Sequence, residues 1–134
     1  MSNLHANAIA SAQTLVTTAE TVVGTITQFA VNNPQGEGVF IGGEFNITTG
    51  TGTTALSVRI RQGSLTGTTV GAARVHTIGA GVSGNIGFSE LDASAYGLAN
   101  SSAVYVVTVS QTGASANGTV NGGAITAQSA VVSE

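Results

Sequence analysis

One property of this chain narrows its fold more than any other: where apolar residues cluster, they recur at every second position. In the stretch Gly38 to Gly63, Val39, Ile41, Gly43, Phe45 and Ile47 share one parity, and Phe40, Gly42, Glu44, Asn46 and Thr48 share the other. An extended backbone sends alternate side chains to opposite faces, so this pattern is a strand with one apolar and one mixed face. Beyond Thr49-Gly50-Thr51-Gly52, Leu56, Val58 and Ile60 alternate with Ser57, Arg59 and Arg61. That is a second strand, with two cations on its polar face, and the glycine-rich turn predicts that the two form a β-hairpin.

The same signal runs through the rest of the chain. β-Branched residues dominate from Gln13, with Val22, Val23, Ile26, Phe29 and Val31 between Thr21 and Val31, a composition that suits strands better than helices. Asn32-Asn33-Pro34-Gln35-Gly36 is a loop signal. Ala72 to Ile78 predicts a short strand carrying Arg74 and His76 on one face, and Val82 to Ser89 another. Glu90 to Gly97 reads as a loop, with a helical turn ended by Gly97 as an option. Ala103 to Gln111 is apolar on both faces, which places it in the middle of a sheet. Asn117-Gly118 and Asn121-Gly122 have the composition of tight turns, and Ala124 to Val132 closes the sheet. The expected fold is all-β: an antiparallel sandwich of about eight strands, jelly-roll type, with an immunoglobulin-like sandwich as the alternative. Residues 1–12 are expected to form an N-terminal arm and residues 13–134 a single sandwich domain.

Charge excludes more than it suggests. Only 7% of the residues are charged and there is no lysine, the cations being Arg59, Arg61 and Arg74. Nucleic acid needs a basic stripe to neutralise phosphates, and none is available. Without cysteine there is no disulfide, thiolate nucleophile or thiolate metal site. The first residues lack the cationic and continuous apolar segments of a secretory signal, and no run approaches the ~20 apolar residues that span a membrane as a helix. A surface of hydroxyls, amides and small side chains is easily desolvated, which favours burial in an assembly.

Candidate sites are few. Gly79 to Gly84 spells GxGxxG, but a dinucleotide fingerprint needs a helix to follow, and Asn85-Ile86-Gly87-Phe88-Ser89 continues as strand. His5 and His76 are the only imidazoles, and neither has a neighbouring acid. Glu90 and Asp92 are expected to be solvated loop carboxylates; a weak calcium site is the alternative. Arg59 and Arg61 are expected to pair with Glu44 across the hairpin. In an oligomer interior, these three charges would set register and partner choice. No catalytic, cofactor or metal residues are assigned.

The successions FNITTGTGTTALSVRIRQGSLTGTTVG and VYVVTVSQTGASANGTVNGG resemble the Gly/Thr-rich jelly-roll head decoration, or cement, proteins of tailed bacteriophages, a likeness that covers about Ala19 to Ala130. The resemblance implies a non-enzymatic protein, made in the host cytoplasm, that sits on the capsid surface and stabilises it through oligomeric contacts. It further implies the major capsid protein as partner, a homo-oligomer with a trimer favoured, no cofactor, and no contact with nucleic acid or membrane. The alternative is a receptor- or carbohydrate-binding module of a phage fibre or adhesin. Such sites use exposed aromatics, and here Tyr96 and Tyr105 would have to serve, since there is no Trp.

Overall fold

The computed structural model describes residues 4–31, 37–93 and 101–131. Nine strands run through them: β1 (Leu4–Ile9), β2 (Gln13–Leu15), β3 (Thr21–Val31), β4 (Glu37–Thr48), β5 (Ala55–Gln62), β6 (Thr69–Thr77), β7 (Ser83–Asp92), β8 (Ser101–Thr112) and β9 (Gly118–Val131). They form two antiparallel sheets. The first has the order β1-β9-β4-β7, with β2 also on β9, and the second β3-β8-β5-β6. The pairs nest from the chain ends inward, β1 and β2 with β9, β3 with β8, β4 with β7, and β5 with β6. A long two-stranded ribbon folded over itself gives this order, which is that of a jelly roll. The all-β sandwich expected from the alternation is therefore what the chain forms.

The opening hairpin is not. β4 lies in the first sheet and β5 in the second, and residues 49–54 carry the chain from one sheet to the other. Ile41, Phe45 and Ile47 face Leu56, Val58 and Ile60 from opposite sides of one core, and all six are buried. Alternation says which face of a strand turns inward; it does not say which strand lies beside it. The crossing is pinned by Gln111, whose Oε1 accepts from Gly50 N at 2.8 Å and Thr53 Oγ1 at 3.2 Å, while its Nε2 donates to Thr17 O at 2.9 Å.

Between the sheets, Tyr105, Phe45, Leu15, Ile41 and Ile125 are among the largest side chains fully withdrawn from water, each contributing about 1.5–3 kcal/mol by burial. Phe45 and Phe88 stack at a tilt, with centroids 6.1 Å apart, a favoured aromatic geometry. β8 lies between β3 and β5, in the interior position its two apolar faces predict.

Three local readings differ from expectation. Leu4–Ile9, inside the anticipated arm, pairs with β9 from Leu4↔Gln128 to Ile9↔Gly123, and Ile9 is buried in the core against Gly24. Asn121-Gly122 is a bulge: β9 continues through it, with the register against β4 shifting between Asn46 and Ile47. Gly122 takes a φ of 120° there, as glycine permits. Glu90-Leu91-Asp92 extends β7 as strand, in register with Ile41, Phe40 and Val39. The Asn32–Gly36 loop and the turn at Tyr96-Gly97 lie outside the described residues.

Candidate functional site

The sheet topology decides which of the charges among the described residues can meet. Arg61 projects from the outer face of β5. Glu20 sits just before β3, after a turn in which Thr17 has a φ of 39° and Ala19 N donates to Val16 O. Arg61 grips Glu20 through two parallel bonds, Nε to Oε2 at 2.7 Å and Nη2 to Oε1 at 2.9 Å. Its Nη1 donates to Gly67 O at 2.9 Å and Thr69 Oγ1 at 3.1 Å. Thr108 Oγ1 donates to Glu20 Oε2 from β8. The pair is largely sheltered, with 19% and 23% of the side chains exposed. Hydrogen bonding from Arg61 is the main reason that the Glu20 carboxyl is held below the ordinary carboxylate range; desolvation opposes it and Thr108 adds to it. Bidentate, charge-assisted bonding of this kind fixes geometry, and here it ties β5, β6, β8 and the entrance to β3 together.

Glu44 is not part of this cluster, because β4 belongs to the other sheet. Its side chain leaves the outer face of the first sheet, while Arg59 and Arg61 leave the outer face of the second. The expected cross-strand pairing of Glu44 with these arginines therefore does not occur within the chain: the sandwich sets the two faces back to back. Among the described residues, neither Glu44 nor Arg59 forms an ion pair.

Glu90 and Asp92 are strand residues turned inward. Asp92 is buried, and its Oδ2 accepts from Tyr105 Oη at 2.7 Å and from Gln62 Nε2 at 3.0 Å. These bonds come from β8 and β5 and close one end of the core with polar groups that satisfy each other. Glu90 accepts from Arg74 Nε across the flank where β6 and β7 meet, at 2.5 Å. It lies against Gly71, where the absence of a Cβ makes room for the carboxylate and φ is +67°. The two acids are thus neither solvated loop groups nor free for a calcium ion. Sequence reading missed Glu20 and the role of Asp92 because their partners lie 41 and 13 residues away.

Beside the Arg74–Glu90 pair, the flank opens into a cleft of about 440 Å³ lined by Gly43, Arg74, His76, Gly87, Phe88 and Ser89. His5 is on β1, at the opposite edge, so the two imidazoles do not converge. The GxGxxG run is the β6–β7 turn and the start of β7, with no helix. Gly79 O accepts from Thr49 Oγ1 at 2.6 Å, and Val82 N donates to the same hydroxyl at 2.9 Å. The chain has no cysteine, and among the described residues no three His, Asp or Glu gather as metal ligands.

The outer face of the first sheet is of another kind. In one row across its four strands stand Leu4, Gln128, Phe40 and Leu91, with Leu4 67%, Phe40 49% and Leu91 44% exposed. The next outward rows are Ala6, Thr126, Gly42 and Ser89, then Ala8, Ala124, Glu44 and Gly87. At the far end is a ladder of polar side chains. Asn121 Nδ2 donates to Asn46 Oδ1 at 2.7 Å, Asn46 Nδ2 to Asn85 Oδ1 at 2.8 Å, and Thr48 and Ser83 share a bond of 2.7 Å.

No protein-family model and no curated protein matches the sequence. Solved structures do match the fold. The VP2 subviral particle of infectious bursal disease virus matches with a TM-score of 0.61 at 12% identity, over 96% of this chain and 36% of that one. The Gt strain of the same virus matches with a TM-score of 0.61 at 13% identity, over 95% and 33%. This chain spans about a third of the length of those chains, and at such identity the likeness is one of fold. It nevertheless corrects the resemblance drawn from the sequence. The matched fold is that of the capsid protein VP2 of an avian virus, not of a tailed-bacteriophage decoration protein. It is also the fold of a major capsid protein itself, which removes the basis for naming a separate major capsid protein as partner. Gly- and Thr-rich strands reflect the needs of pleated, tightly turned backbone, and that composition does not distinguish one group of β proteins from another.

Proposed function

We propose that this chain is a non-enzymatic structural β-sandwich of a virion surface, acting through contacts between its own copies. The observation that carries the reading is the outer face of the first sheet: an apolar row, two rows of small residues, and a polar ladder whose members already bond one another. Among the described residues it presents a single charge, Glu44, and no cation. Covering such a face strips little hydration and leaves few polar groups unpaired. Four strands about 4.8 Å apart and about ten residues long offer roughly 600 Å², close to the ~800 Å² that each partner commonly contributes to a stable interface. The likeness to VP2 supports this reading: a similar fold occurs in a viral particle. Tyr105, one of the two tyrosines available to a carbohydrate site, is buried, and nothing observed favours that alternative.

Glu44 and Arg59, on opposite faces, are then the charges that set the register between copies. Sedimentation velocity over a concentration series tests the proposal. Phe40→Glu is expected to weaken self-association at least about tenfold, equivalent to ~1.4 kcal/mol, with the unfolding midpoint nearly unchanged. Glu44→Arg is expected to weaken it too, and adding Arg59→Glu to restore part of the loss. A wild-type chain that stays monomeric at every concentration, or a Phe40→Glu chain that assembles as wild type does, would overturn the reading.

A further inference from the structure

The flank between β6 and β7 holds a charge arrangement that neither the core nor the outer faces explain. Arg74 and His76 are in register with Val58 and Leu56, both buried, so the two side chains point to the inner side of the second sheet. β6 is the edge strand, and these residues line the cleft instead of entering the core. Arg74 is 57% exposed on its side chain and spends only its Nε on Glu90. Both Nη groups remain available as a parallel pair of donors. The His76 Nε2 atom is shut off from solvent and has no hydrogen-bond partner. Buried polar atoms are rarely left so, and His76 lines the cleft, so a small turn of its ring would offer this atom to a ligand there.

The chemistry of the cleft selects the ligand. A planar anion with two oxygens can take two N–H bonds from the guanidinium, and His76 can donate a third when its proton is on Nε2 and its ring turns that atom toward the cleft. Glu90 already offsets much of the Arg74 charge, which disfavours a dianion such as a phosphate monoester and suits a singly charged group. The Phe88 ring and the bare backbone at Gly87 leave room for a short aliphatic body. We propose that this cleft binds a carboxylate carried on a short aliphatic chain, either a free acid or the side chain of an acidic residue in a peptide.

The test is an NMR titration of the full chain, following the His76 ring nitrogens with propionate in one arm and the capped peptide acetyl-Gly-Glu-Gly-amide in the other. A saturable shift of the His76 Nε2 signal is expected in at least one arm; the tighter arm identifies the source of the carboxylate. Arg74→Gln gives up the ion pair with the sheltered Glu90, so it should lower the melting temperature modestly while the chain stays folded, and it should bind at least about tenfold more weakly; Arg74→Lys, which keeps a cation beside Glu90, should fall between. No saturable shift with either probe would overturn the proposal, as would an Arg74→Gln chain that binds like wild type. Phosphate binding more tightly than both probes would overturn the assignment to carboxylates.

Discussion

The two outer faces of this sandwich are built from similar strands and differ in what becomes of their polar groups. On the second sheet, Arg61 uses all three guanidinium nitrogens on Glu20, Gly67 and Thr69, and Glu20 also takes the Thr108 hydroxyl. On the first, Leu4, Phe40 and Leu91 stand exposed in one row, and Glu44 has no ion pair among the described residues. On the second face the Arg61–Glu20 cluster is satisfied within the chain and holds the fold together, while Arg59 beside it forms no ion pair among the described residues. A face left open and nearly uncharged is available to a neighbour. Substitutions in the Arg61–Glu20 cluster should therefore change stability, and substitutions on the first face should change association.

The largest expected effect tests the satisfied face. Arg61→Ala leaves a sheltered carboxylate with one remaining side-chain donor and frees Gly67 O and Thr69, so it should cost about 2–3 kcal/mol in chemical denaturation. Phe40→Ala, on the open face, should stay within about 0.5 kcal/mol. Equal losses from the two variants would erase the distinction between the faces.

Acid should produce the next largest effect, and again on one face only. The folded-state pKa of Glu20 lies below its ordinary value of 4.5, chiefly through the Arg61 hydrogen bonds. A depressed carboxylate pKa means that the unfolded chain binds the proton more readily. The stabilisation from Glu20 is thus complete above that ordinary value and is lost as the pH falls through the folded-state pKa. Urea midpoints measured from neutral pH downward should decline over this acid range, and the Glu20→Gln chain, already weaker at neutral pH, should decline less. A parallel fall in both chains would mean that some other carboxylate governs acid unfolding.

What the sequence makes legible here follows from the physics of a strand. Period-two alternation assigned inward faces well, because every strand must bury one side: Ile41, Phe45, Ile47, Leu56, Val58 and Ile60 all proved to be core. Neighbour order was not legible, since β4 and β5 could share an inward direction as a hairpin or face each other across a core with the same pattern. That ambiguity moved Glu44 from beside Arg61 to the far side of the molecule. Glu90 and Asp92 were misplaced for another reason. Acids lower strand propensity on average, but Arg74 bonds the first, and Tyr105 and Gln62 bond the second. Their partners come from other strands, so no local window contains them. The apolar row on the first sheet was hidden likewise, because Leu4, Phe40 and Leu91 become neighbours only once β1, β9, β4 and β7 are in register.

The smallest expected effect concerns salt, and it sharpens the comparison where the two faces would touch. Association through the first-sheet face rests on Leu4, Phe40, Leu91 and hydroxyl- and amide-bearing neighbours, with at most one ion pair per contact if Glu44 meets Arg59 of the next copy. Raising ionic strength from about 0.05 to about 0.5 M shortens the screening length several-fold, yet a single pair near the surface is worth only about 0–1 kcal/mol. The association constant should fall by no more than about fivefold over that range. Neutralising Glu44 by Glu44→Gln should remove most of even that dependence. A steep loss of association with salt would mean that the satisfied, charge-bearing face of the second sheet dominates the contact, and that the roles assigned to the two faces must be exchanged.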